Sequence, residues 1–349
     1  MKIENEIKLD FKDVLFRPKK SILSSRSEVN LERTLKFKNS GQTWTGVPLM
    51  SSNMDTISSF DMFKGLCSNK CITCFHKYID IDEIIKKWDS TCMSSDYFAL
   101  STGITDNDFA RLEHNIKLLD TRGIKVKFIC IDVANGYMLK LVQFCKKVRD
   151  RFPYKTIIAG NVVSSEITEE LIISGKVDIV KVGIGSGAVC TTRLQTGVGM
   201  PQLSAVIDCA ERAHLLGGHI ISDGGACFPG DISKAYGGGA DFAMLGSMFA
   251  GHLECPGEIV EEDGKKYKLF YGMSSDTAMN KYHGGVASYR SSEGKTVKVP
   301  FKGPVQDTIN NILGGVRSTC TYIGASQLSE LSEKTTFIKV NRQVNDYYK

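Results

Sequence analysis

The sequence predicts an α/β fold, a parallel (β/α)8 TIM barrel with a flap after its eighth strand. Three observations carry this expectation. Eight short apolar runs recur along the chain, they lie mostly about 23 to 30 residues apart, and their C-terminal ends gather polar and glycine residues.

The runs are VPLMSS (47–52), CITCFH (71–76), YFALS (97–101), VKFICIDV (126–133), TIIAG (156–160), DIVKVGIG (178–185), HIISDGG (219–225) and DFAMLGS (241–247). Near-continuous apolarity, in place of alternation, suits strands buried on both faces. Helical patterning fills the intervals, as in YMLKLVQFCKKVRDRF (137–152) and QLSAVIDCAERAHLL (202–216). The interval after the sixth run is longer and carries a loop rich in Gly and Thr. After the eighth run, residues 255–303 read as a hairpin-like excursion, and segments of that length without a barrel strand are commonly lids. VQDTINNILGGVRSTCTYIGA (305–325) then reads as a closing helix. Residues 1–349 are expected to form one catalytic barrel domain with a mobile flap and no inserted regulatory (CBS) domain.

Composition narrows the function. Of 349 residues, 42% are hydrophobic and 24% charged, which excludes a disordered chain. A net charge of +5 suits an anionic small molecule but falls short of a nucleic-acid-binding stripe. No window approaches 18 apolar residues, so no membrane span is expected, and MKIENEIKLDFKDVLFRP is not read as a signal peptide. The eleven cysteines lie mostly within apolar runs and are expected to be reduced thiols of a cytoplasmic protein.

Chemistry in this fold sits where the strands end. Those ends carry Ser51, Ser52 and Asn53; His76 and Lys77; Ser101; Asp132; Gly160 and Asn161; residues 183–193; Asp223, Gly224 and Gly225; and Gly246 and Ser247. The sixth loop, KVGIGSGAVCTTR (181–193), is the richest. Gly183, Gly185 and Gly187 let the backbone turn its amides toward a phosphate or its carbonyls toward a monovalent cation. Cys190 lies on this polar loop near Arg193, a setting that favours a thiolate nucleophile.

The segments GIGSGAVCTTR and TGVGMPQLSAV, with HIISDGGA, ADFAMLGSMFAG, FYGMSSDTAMNK, YRSSEGKTV and ILGGVRSTCTYIGA, closely resemble the IMP dehydrogenase/GMP reductase family. LDFKDVLFRPKKS and SSNMDT extend the resemblance to the first strands. Two features point to the reductase branch. CITCFHKYIDIDEI runs on without the dehydrogenases' regulatory insertion, and YRSSEGKTVKVPFKG resembles the reductase flap. Because some dehydrogenases lack the insertion, the flap decides; the alternative is such a dehydrogenase.

The resemblance implies reduction of GMP by NADPH to IMP and ammonia, with Cys190 as nucleophile and Thr192 with Glu293 as the proton donor. For the nucleotide it implies Asp223, Gly224, Gly225, Gly246, Ser247, Gly272, Met273, Ser274, Arg290, Ser291, Ser292, Glu293 and Gly294. For NADPH it implies Lys77, Asp132, Val133, Ala134, Ile184, Gly185, Met273, Tyr289 and Arg290. At the cofactor's far end it adds Ser25, Arg26, Ser318, Thr319, Cys320 and Thr321, some from a neighbouring subunit of a homotetramer. Carbonyls of Gly185, Gly187, Cys190 and Arg193 are implied as ligands of K+. The chain departs from the family at Ser186 (commonly Pro), Met200 (often aromatic) and Ser247 (often Gly), and none of these removes a chemical group.

Two other readings have residues behind them. Cys67, Cys71 and Cys74 have the spacing of an iron–sulfur site, although Cys71 and Cys74 flank an apolar run and at least one should pack into the barrel wall. A nucleotide sensor would use the same pocket, but it has no need of Cys190, Thr192 and Glu293 together.

Overall fold

The computed structural model describes residues 1, 3–286, 288–289 and 291–341. Each predicted apolar run supplies a strand: β1 (Leu49–Ser51), β2 (Ile72–Phe75), β3 (Phe98–Thr102), β4 (Phe128–Asp132), β5 (Thr156–Val162), β6 (Ile179–Val182), β7 (His219–Asp223) and β8 (Phe242–Leu245). They close into a parallel barrel in sequence order, β8 returning to β1 with Ala243 opposite Leu49. No helix is long and apolar enough to cross a membrane among the described residues.

Helices α1 (Phe60–Cys67), α2 (Ile81–Lys87), α3 (Asp106–Thr121), α4 (Leu139–Arg151) and α5 (Ser165–Ile173) follow the first five strands. A short α6 (Thr192–Thr196) opens the interval after β6, before α7 (Gln202–Leu215) and α8 (Pro229–Gly237). Local chemistry sets their starts. Ser59 accepts a hydrogen bond from Met62 N, and Thr105 and Asp108 satisfy each other's backbone amides at the head of α3.

Side-chain alternation along the strands divides the core. Phe128, Cys130, Ile158, Ile179, Ile221 and Phe242 fill the barrel interior, whereas Ile129, Ile131, Ile157 and Val180 face the surrounding helices. A hairpin of Arg33–Lys36 and Thr43–Gly46 plugs the lower end, with buried Phe37 and Trp44 against Phe128 and Phe242. Polar groups can therefore reach the interior only at its ends.

At the lower end, buried Asp241 holds His214 Nε2 at 2.8 Å, His219 Nδ1 at 3.2 Å and an Arg33 guanidinium nitrogen at 3.3 Å. Burial opposes the charge on His219, but the Asp241 carboxylate beside it outweighs this and raises its pKa. The Asp241 pKa is lowered despite burial, through its hydrogen bond to His214 and the nearby His219. The His219 contribution should be complete below the unfolded value near 6.5 and vanish as pH climbs through the raised folded value. Asp241 loses its contribution only in acid, below about 4. Accordingly, His219→Gln should cost about 2 kcal/mol at pH 6, the scale of removing one partner from a buried charge, and clearly less at pH 9. Urea unfolding at the two pH values checks this, and an equal cost at both would contradict it.

The excursion after β8 is a three-stranded antiparallel sheet, β9 (Val260–Glu262), β10 (Lys265–Tyr271) and β11 (Thr296–Pro300), with α9 (Asp276–His283) inserted before β11. The sequence pattern foresaw a hairpin here but not the helix. The closing helix α10 (Val305–Ile323) ends at Gly324, whose φ of +76° provides its left-handed cap.

Candidate active site

The alternation that places Ile179 and Ile221 in the interior puts Lys181 and Asp223 one layer higher, at the upper mouth. Asp132 reaches the same layer two residues beyond Cys130. Lys181, only 4% exposed, places its ammonium 2.6 Å from Asp223 Oδ2, 2.8 Å from Asn161 Oδ1 and 3.0 Å from Asp132 Oδ1. Burial alone would lower the Lys181 pKa, but the two carboxylates raise it, so it stays charged. Asp132 is also pushed upward by burial; Lys181 and a hydrogen bond from Asn53 reverse the shift and keep it ionised. Asn161 joins the network by donating 2.8 Å to Asp223 Oδ2.

The cysteine loop arches over this layer. Cys190 is half-buried, and its Sγ lies 3.2 Å from Thr192 Oγ1, which donates 2.7 Å to Glu293 Oε2. Glu293 comes from the excursion, more than a hundred residues away in sequence. Backbone bonds hold the two segments in register: Thr191 N donates to the Glu293 carbonyl at 2.9 Å, and Lys295 N to the Val189 carbonyl at 2.9 Å. A thiol, a hydroxyl and a carboxylate thus form a continuous proton path from the rim of the barrel into the excursion.

Beneath them opens a cavity of about 240 Å³, lined at one side by Cys190, Thr192 and Glu293 and at the other by Asp132, Val133 and Ala134. A nucleophile, a proton relay and an anion-compensated cation share one concavity at the functional end of the barrel.

A model of the IMP dehydrogenase/GMP reductase domain matches residues 8–345. The chain is 58% identical to "GMP reductase 2" of Homo sapiens over 346 residues, covering 99% of this chain and 98% of the relative. It is 55% identical to "GMP reductase 1" of Mus musculus, covering 99% of each chain, and 55% identical to "GMP reductase" of Enterobacter sp. (strain 638), covering 99% of this chain and 98% of that protein. The chain belongs to the IMP dehydrogenase/GMP reductase family.

Many positions that the family resemblance implied meet in the cavity: Asp132, Val133, Ala134, Ile184, Gly185, Gly187, Cys190, Thr192, Asp223, Gly224, Gly272, Met273, Ser274 and Glu293. Gly246 stands just behind the wall, since a Cβ there would lie 3.2 Å from Ser52 Oγ and 3.3 Å from Met54 Sδ, both of which line it. Gly225 backs onto Gln202 outside the cavity, and the Ser247 carbonyl accepts from Lys302. Ser292 bonds the Ser274 and Gly294 carbonyls, Gly294 bridges Cys190 and Ser275, and Ser291 reaches Gln195. Tyr289 is exposed, and Arg290 lies outside the described residues.

The far-end positions are elsewhere. Ser25 and Arg26 sit on an exposed turn packed against α10, where Ser318 and Thr321 donate to helix carbonyls, Thr319 bonds Ser233 and Cys320 is buried. Lys77 pairs with Asp108 at 3.3 Å in a neighbouring cleft. As for the iron–sulfur alternative, Cys71 and Cys74 are fully buried. Cys71 Sγ faces the Asn69 carbonyl and Cys74 Sγ faces Ser101, while Cys67 accepts from Ser94 N, so the three thiols do not converge.

Two groups that the family implies can be tested against the residues present. Gly185 has φ +75°, and a Cβ there would collide with Arg193 Cγ at 2.6 Å; Gly199 meets the same side chain at 2.7 Å. The loop therefore folds tightly around the Arg193 stem, which is fastened to the Met200 carbonyl at 2.7 Å. Backbone oxygens are the hard donors an alkali cation takes, and here the Gly187 carbonyl also accepts from Cys190 N at 3.1 Å and the Arg193 carbonyl from Gly197 N at 3.2 Å. Toward a nicotinamide cofactor, the cavity offers Val133, Ala134, Ile184 and Met273 as apolar surface, and Ser52 Oγ is buried there without a partner. Both groups fit.

Lys181 is a site residue that sequence reasoning missed. Its signal was present: one cation inside the apolar run DIVKVGIG, two residues beyond an interior isoleucine.

Proposed function

We propose that the chain is an NADPH-dependent GMP reductase that acts through a covalent bond between Cys190 and carbon 2 of the purine. The observation that carries this reading is the path Cys190–Thr192–Glu293, with separations of 3.2 and 2.7 Å. The names of its relatives support the same substrate. Only the reductive reaction has to expel an amine.

The Cys190 sulfur adds to carbon 2 of GMP. The carbon–nitrogen bond then breaks, and the amino group departs as ammonia with a proton delivered through Thr192 from Glu293. What remains is a thioimidate, in which sulfur has replaced nitrogen. NADPH, when bound, supplies the hydride that carbon 2 requires. The carbon–sulfur bond then breaks, releasing IMP and returning the thiolate, which regains a proton. Capture by sulfur divides one difficult displacement into two easier steps.

Asp223, fixed by Lys181 and Asn161, is assigned to the ribose hydroxyls, and the amides of Gly224, Gly225 and Gly246, together with Ser247, to the phosphate. Asp132, Val133, Ala134, Ile184 and Gly185 would hold the nicotinamide end of NADPH. Lys77, with Ser25 and Arg26 and residues 318–321, would hold the remainder across the subunits of a cytoplasmic homotetramer. Carbonyls of Gly185, Gly187, Cys190 and Arg193 would hold K+. The excursion of residues 255–303 is read as a flap within one catalytic domain.

The test is spectrophotometric. GMP should drive oxidation of NADPH, in preference to NADH, with one ammonia released per GMP. Reduction of NAD by IMP without any reaction of GMP would instead make the chain a dehydrogenase.

A further inference from the structure

Asp55 follows β1 on the turn whose Ser52, Asn53 and Met54 line the cavity. Its carboxylate is almost wholly buried, yet it belongs to none of the groups assigned above. Three donors converge on one oxygen, Oδ2: Tyr271 OH at 2.9 Å, Lys281 Nζ at 2.9 Å and Tyr282 OH at 2.7 Å. All three come from the excursion, Tyr271 from the end of β10 and the others from α9. Burial, and then Asp55 itself, push Tyr271 up to about 12, so this phenol remains a donor. Tyr282 also stacks on Tyr78 of the barrel rim, with ring centroids 4.0 Å apart and planes within 7°.

The connection continues to the reacting groups. Tyr271 directly precedes Gly272, Met273 and Ser274, and Met273 Sδ faces the Asp55 amide at 3.5 Å. Ser274 accepts from Glu293 N at 3.2 Å, and Thr191 N donates to the Glu293 carbonyl at 2.9 Å. A run of hydrogen-bonded segments therefore leads from Asp55 through residues 271–274 to Glu293 and the cysteine loop.

We infer that Asp55 is a positioning residue: its buried carboxylate fastens the base of the excursion to the barrel rim and thereby sets Glu293 in reach of Thr192. A buried carboxylate receiving one ammonium and two phenols is a strong fastening, because each bond is charge-assisted and the carboxylate itself is shielded from water. Asparagine at this position retains the shape but removes the charge opposite Lys281. A displacement of about 1 Å at a reacting group can cost a hundredfold in rate.

The inference rests on the proposed reductase chemistry, so two readouts separate them. In Asp55→Asn, hydrogen exchange should quicken in residues 271–282 and 291–296 while β3, β4 and α4 stay as protected as in the wild type. In the same variant, kcat for GMP reduction should fall at least tenfold and by more than KM rises, since the ribose contacts assigned to Asp223 are not disturbed. Lys281→Met, which alters a half-exposed side chain, should reproduce both effects more weakly and keeps the test open if the Asp55 variant does not fold. Unchanged exchange together with kcat within twofold of wild type in either folded variant would overturn the inference. Absence of GMP reduction in the wild type would instead remove the proposed function, and the exchange readout would still decide whether Asp55 fastens the excursion.

Discussion

Replacing Cys190 by alanine should lower GMP turnover by more than about a thousandfold while leaving GMP affinity within a few-fold of wild type. The thiol is the only group in the cavity assigned to form a bond with the base. The groups assigned to ribose and phosphate lie on other strand ends, and the Asp223 carboxylate is held by Lys181 and Asn161, with no contact to the Cys190 thiol. Binding and chemistry should therefore separate cleanly. Steady-state NADPH oxidation gives the first quantity and calorimetric titration with GMP the second. Residual turnover above about a thousandth of wild type would be too much for a mechanism that requires the sulfur.

Glu293→Gln should have the next largest effect, and a more selective one. Glutamine can still accept the Thr192 hydroxyl at the position where Oε2 now lies 2.7 Å away, so the geometry should persist. It cannot carry a proton to the departing amine. A missing general acid typically costs on the order of a hundredfold to ten-thousandfold, and GMP reduction should fall by that amount. Hydride transfer makes no use of this proton, so IMP with NADP should still form the covalent intermediate and one equivalent of NADPH in a single turnover. If both half-reactions fall together, Glu293 holds the flap or the substrate, and the proton donor lies elsewhere.

The sequence made the barrel legible because strands buried on both faces are written as continuous apolar runs, and all eight runs became strands. The cysteine loop was legible for a different reason: a thiol among glycines and polar residues stands out against thiols placed in apolar runs, such as Cys130 and Cys145. Long-range geometry was not legible. Glu293 meets Thr192 only because β10 and β11 carry the excursion back across the barrel mouth, and only the family resemblance brought these two residues together in advance. Lys181 was hidden inside a strand run, because its meaning depends on which face of β6 it occupies and on Asp132 and Asp223 arriving from β4 and β7. The Asp55 cluster was equally hidden, since its donors lie more than two hundred residues away along the chain.

The central claim is that Cys190 becomes bonded to carbon 2 of the purine and that ammonia leaves from this adduct before the hydride arrives. Acid-quenching the wild-type enzyme during turnover of GMP with NADPH, followed by intact-mass and peptide analysis, tests it most directly. A species heavier than the protein by GMP less one ammonia, located on the peptide containing Cys190 and missing from Cys190→Ala, is the predicted result. GMP reduction proceeding in the Cys190→Ala variant, or an adduct located on any other residue, would contradict the account.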